Sequence, residues 1–111
     1  MQKESVDKEV PHGVLVIKPK QPFLDWLDRV YEEDAPYKLE SFQQDQTSFL
    51  VGDELEARDI ERLLKKHHKD IFERELEGWT LDMDAWPARR GWKTFQEWFT
   101  WEYHSMLFIL S

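Results

Sequence analysis

Apolar positions recur along this chain in patterns that separate into strands and helices. Val14-Leu15-Val16-Ile17 is a continuous, largely β-branched run closed by Lys18-Pro19, which predicts a buried strand. Pro22 then stands at a plausible first helical position. After it Phe23, Trp26, Leu27, Val30 and Tyr31 fall on one side of a helical wheel, with Asp25, Asp28, Arg29 and Glu32 on the other. Asp34, Pro36 and the run Gln43-Gln44-Asp45-Gln46 read as a loop, with room for a short strand at Leu39 to Phe42. Thr47-Ser48-Phe49-Leu50-Val51 before Gly52 predicts a second buried strand.

A longer helix is expected from about Glu54 to Leu76, stopped by Gly78. Its apolar stripe reads Ile60, Leu63, Leu64, His67 and Ile71. Residues 79–93 hold Pro87 and Gly91 without a period, so they read as a loop pinned by tryptophans. Thr94 and Glu97 form a capping box, and the spacing predicts a third helix from there to the end of the chain. Its stripe is Phe95, Trp98, Phe99, Glu102, Met106, Ile109 and Leu110, while Trp101, His104 and Phe108 fall nearly opposite.

The order strand, helix, strand, helix, loop, helix predicts a small α+β (or small α/β) domain, a two- or three-stranded sheet covered by three helices. Residues 1–12 are polar and contain Pro11, and read as a disordered tail ahead of one domain spanning 13–111. At 111 residues the chain can bury roughly two thirds of its unfolded surface, enough for one modest core. Residues 72–110 carry five of the six tryptophans, so that core is expected to be aromatic.

Charge changes the picture. The net charge of −8 lies almost wholly in residues 21–59, where eleven acidic groups face three basic ones. Such a field repels nucleic-acid phosphates and anionic lipid, so neither is an expected partner. The plainer reading of the acidic face is a solubilising one. No apolar run reaches the roughly 18 to 20 residues of a membrane span, and no cysteine is present, which together suit a cytoplasmic protein.

Four constellations are candidates for chemistry. His67 and Glu102, each inside an apolar stripe, would form a buried acid/base pair or a hydrogen-bonded structural pair on facing helices. His67-His68 with Asp70, Glu73 and Glu75 has the composition of a metal cluster, but adjacent histidines point about 100° apart on a helix and cannot chelate one ion; no metal or cofactor is expected. Arg89 and Arg90 stand between Trp86 and Trp92, where they would hold an anion at the rim of a pocket or stack on the indoles. Trp101, His104 and Phe108 would give the last helix a second apolar side, which a monomer seldom leaves in water.

The segments VIKPKQPFLDWL and FERELEGW, the Trp86-Pro87 pair and the closing TFQEWFTWEYHSM resemble a family of small bacterial proteins for which no function is assigned. The resemblance covers nearly everything after residue 13 and implies a free-standing bacterial domain, with no functional residue to carry over. Two functions are therefore expected from the residues. The first is a non-enzymatic interaction module, binding a protein partner or forming a homodimer through its aromatic C-terminal segment. The second is a small ligand-binding protein or enzyme with a pocket between helices two and three holding His67 and Glu102, with Arg89 and Arg90 at its rim.

Overall fold

In the computed structural model the described residues are 8–31 and 46–110. They form strands β1 (Lys8–Glu9) and β2 (His12–Pro19), helix α1 (Gln21–Val30), strand β3 (Thr47–Gly52) and helix α2 (Ala57–Glu77). A 3₁₀ turn at Met83–Ala85, helix α3 (Trp92–Trp98), strand β4 (Phe99–His104) and strand β5 (Phe108–Ile109) follow. β2 is the central strand of an antiparallel sheet ordered β3-β2-β4, and β1 pairs with β5 in a separate two-stranded ribbon. The class is α+β, with three helices among the described residues against a three-stranded sheet. The short strand expected at Leu39 to Phe42 lies outside the described residues.

The central position of β2 explains its unbroken apolar run. Gly13, Leu15 and Ile17 face the helices and are buried, while Val14 and Val16 on the other face are half-covered by neighbours on both sides. Pro19 ends the strand and Pro22 starts α1, whose Phe23, Leu24, Trp26 and Leu27 pack on the sheet. Part of the expected tail is ordered: Lys8–Glu9 pairs with Phe108–Ile109, and Val10 N–H donates to the Leu107 carbonyl at 2.9 Å.

α2 begins at Ala57, after Asp59 Oδ2 accepts from the Glu56 N–H at 3.0 Å. Its buried residues are Ile60, Leu64, Ile71, Phe72 and Leu76, so the core stripe is rotated from the expected one. Phe72 and Leu76 are fully enclosed and set that rotation. His68 then turns toward the core edge, its ring 5.8 Å from Trp92 and 6.4 Å from Phe95, and His67 is exposed.

The largest correction concerns the third helix, which ends at Trp98 instead of running to the C-terminus. From Phe99 the chain is a strand in register with β2, Ile17 opposite Trp101 and Val16 opposite Glu102. Phe99, Trp101 and Tyr103 point to the core side and Thr100, Glu102 and His104 to solvent. A helix apolar on every side would have left half its aromatic surface in water; a strand of period two sorts the same residues onto two faces. The capping box is also displaced, because Gly91 is the N-cap and Thr94 lies within the helix.

The core is aromatic where the helices meet the sheet. Phe72 lies 5.3 Å from Trp98 and 5.2 Å from Phe99, Phe95 lies 5.0 Å from Phe99, and Phe23 lies 5.5 Å from both Trp26 and Phe99. Pairs at these tilted and edge-on geometries contribute about 0.5–1.5 kcal/mol each beyond burial. Indoles also pin the loop before α3: Trp26 Nε1–H donates to the Ala85 carbonyl at 2.8 Å and Trp86 Nε1–H to the Thr80 carbonyl at 3.0 Å. Tyr31 closes the same loop by donating its hydroxyl to the Trp79 carbonyl.

Candidate functional site

One approach between strands governs the upper sheet. Tyr103 on β4 lies across the backbone of Gly13 on β2, so that its hydroxyl donates to the Gly52 carbonyl at 2.8 Å and accepts from the Leu55 N–H at 3.2 Å. The side chain thereby ties β4 to the far end of β3 over the central strand. A Cβ at position 13 would sit 2.7 Å from Tyr103 Cε1, so the glycine is required by close approach and not by its backbone angles.

The expected pair of His67 and Glu102 does not form. His67 is exposed on α2, whereas Glu102 is on the open face of the sheet, where Lys18 Nζ holds its carboxylate at 2.6 Å. Lys18 also draws the Glu102 carboxyl below its ordinary range, chiefly through that hydrogen bond, with His104 adding to the effect. The reason for the separation is the same change of period: a stripe at helical spacing would have put Glu102 inward, and alternation in β4 puts it outward.

Arg89 and Arg90 separate as well. Arg89 is exposed, while Arg90 is fully engaged: Nη1 donates to the Pro87 carbonyl at 2.6 Å, Nε meets Glu73 Oε2 at 3.4 Å, and the guanidinium lies 5.6 Å from the Trp86 ring centre. It staples the loop to α2, and its donors are turned toward protein acceptors. Among the described residues no group of three His, Cys, Asp or Glu is placed to hold a metal ion. No helix among them is long and apolar enough to cross a membrane.

Trp101, His104 and Phe108 do not share one face. Trp101 is half-buried on the core side, 6.1 Å from Trp92 and 6.0 Å from Phe95; His104 is exposed on the opposite side of β4; and Phe108 is on β5. The exposed apolar surface lies further along, at Met106, Phe108, Ile109 and Leu110, with Phe108 43% and Leu110 70% exposed. This arm carries β4 onward, and among the described residues β4 pairs only with β2 and β5 only with β1.

The second concave feature is a groove of about 550 Å3 between β3 and α2. Leu15, Phe49, Leu50, Val51, Leu63, Leu64 and Ile71 supply apolar lining, and His67, Asp70, Glu73, Arg74 and Glu77 supply polar lining. Beside it Thr47 Oγ1 donates to Glu75 Oε2 at 2.7 Å. Burial raises the Glu75 carboxyl above its ordinary range, against the opposing pull of Thr47 and Arg74. The sequence signal for this groove was present in Leu63 and His67, but reading both as core positions hid it.

No family model, curated protein or solved structure matches this chain, and the resemblance to small bacterial proteins stays an expectation.

Proposed function

We propose that this protein is a non-enzymatic interaction module that associates with a second copy of itself along β4 and the apolar arm that follows. The observation that carries this reading is the arm: Met106, Phe108, Ile109 and Leu110 are exposed at the end of a strand whose outer edge has no described partner. A two-stranded ribbon such as β1 with β5 is marginal in water and gains stability from a third strand or a packed face. A strand edge left open in this way is a template for pairing.

Antiparallel pairing of two β4 edges about a two-fold axis is self-complementary. The register centred on Tyr103 sets Glu102 opposite His104 of the second copy, twice, so that a carboxylate faces an imidazole N–H. The same register sets Met106 opposite Thr100 and Leu107 opposite Phe99 of the second copy, which lays each apolar arm on the other molecule's sheet. Centring on Glu102 would instead oppose two carboxylates, a pairing that like charges disfavour.

The net charge of −8 argues against nucleic acid as a partner. A cysteine-free, free-standing bacterial domain working in the cytoplasm is the setting we propose, supported by the composition and the resemblance. Light scattering coupled to size exclusion tests the association. The expected result is a dimer mass in the upper micromolar range, reverting to a monomer in the Met106→Asp/Phe108→Asp double variant with its melting transition retained. A monomer at every concentration, or a double variant that dimerises as well as wild type, overturns the reading.

A further inference from the structure

The groove between β3 and α2 has two unlike walls. Phe49 and Val51 point to the core side of β3 and Leu50 to the other side, yet all three line the groove. That combination requires the groove to run along the edge of the strand, since a cavity on either face would meet only alternate side chains. β3 pairs with β2 on one side and with no described strand on the other. Its edge carries none of the usual protection by lysine or proline, and Leu50 is 67% exposed.

The facing wall is a stripe of α2. Leu63, His67, Asp70, Arg74 and Glu77 recur at helical spacing along one side, rotated away from the buried positions Leu64, Ile71, Phe72 and Leu76. Of the carboxylates on this wall, Glu73 is engaged by Arg90. Asp70 and Glu77 are exposed and flank Arg74, the basic group of this wall. An open strand edge beside a helix, with an apolar floor and an acidic rim, is the chemistry that recognises an extended polypeptide by strand addition.

We propose that this groove binds an extended peptide segment in which apolar and basic side chains alternate. The peptide backbone pairs with the free edge of β3. Its apolar side chains enter the floor formed by Phe49, Val51 and Leu63, and its lysine or arginine side chains meet Asp70 and Glu77. The volume of about 550 Å3 falls within the range of functional pockets. β3, six residues long, offers roughly 20 Å of edge, so five or six peptide residues fit. The observation is independent of the C-terminal arm, which lies beyond the opposite edge strand, β4.

The probe is a fluorescein-labelled, acetylated hexapeptide Val-Lys-Val-Arg-Val-Lys, titrated by fluorescence polarisation against the full chain and against the Met106→Asp/Phe108→Asp variant. Saturable binding with a Kd of about 100 µM or tighter is expected to both proteins. Asp70→Lys/Glu77→Lys, at two exposed positions that the fold does not need, should weaken it by about tenfold or more, and N-methylation of alternate peptide amides should do the same. A Val-Glu-Val-Glu-Val-Glu peptide should bind the charge-reversed variant better than the wild-type protein. Absence of saturation at millimolar protein overturns the proposal. So does equal binding by the N-methylated peptide or by the charge-reversed variant. Loss of binding in the arm variant alone would also overturn it, by placing the contact on the C-terminal edge.

Discussion

Replacing Gly13 by alanine puts one methyl group where the structure has none to spare. The added Cβ would lie 2.7 Å from Tyr103 Cε1, 2.8 Å from its hydroxyl and 2.9 Å from the His104 carbonyl oxygen. Carbon contacts are favourable near 3.5–4.0 Å, so the ring must leave its place over the strand. In leaving, its hydroxyl gives up the bonds to the Gly52 carbonyl and the Leu55 N–H. Two neutral hydrogen bonds are worth about 1–3 kcal/mol together, and overpacking typically adds about 1–3 kcal/mol. The smaller entropy of an unfolded chain with alanine returns about 0.4–1 kcal/mol. The net expectation is a loss of about 3 kcal/mol, a fall in Tm on the order of 10 °C in a chain of this length. Urea unfolding followed by tryptophan fluorescence measures it, and the Tyr103→Leu background isolates the cause. There the cost of alanine should drop to about half or less, the His104 carbonyl supplying the remainder. A Gly13→Ala protein as stable as wild type, or a cost unchanged beside Leu at position 103, would refute the close-approach argument.

Two further expectations test the core and a part-buried carboxylate. Phe72→Ala removes a ring packed against Phe95, Trp98 and Phe99 and should cost about 3–5 kcal/mol, whereas His67→Ala on the exposed side of α2 should change stability by less than about 0.5 kcal/mol. Comparable urea midpoints for the two variants would show that α2 is rotated differently. Glu75 is a carboxyl raised by burial, so the folded state binds its proton more tightly than the unfolded chain does. Stability linked to it therefore falls as pH rises from the ordinary carboxylate value through the raised folded value. Glu75→Gln should be more stable than wild type at pH 7, with the gap closing below about pH 4. A gap that stays constant or widens on acidification would contradict the burial argument.

Local patterning settled much of this fold, because strands and helices with one strong period need little context. The run Val14 to Ile17, the wheel of α1 behind Pro22, the strand before Gly52 and the long α2 all form where alternation or helical spacing places them. So does the aromatic core, since large indole and phenyl surfaces have nowhere else to go. Residues 95–110 are different. Apolar side chains at 95, 98, 99, 101, 103 and 106–110 satisfy a helical stripe and a two-residue alternation almost equally, so periodicity alone does not choose between helix and strand there. The central strand β2 decided it: buried and flanked by β3 on one side, it needed a second neighbour, and the stretch from Phe99 supplied the hydrogen bonds. That one choice sent Glu102 to Lys18 instead of toward the helices, split Trp101 from Phe108, and turned the end of the chain into an exposed edge. The same holds on a smaller scale for the histidines of α2. Their positions on the wheel differ by about 100°, and only the packing of Phe72 and Leu76 against the sheet side selected His68 for the core edge and left His67 on the wall of the groove. Pairing partners and helix rotation are long-range properties, set by which buried groups must find acceptors and which volumes must be filled, and no local window of sequence contains them.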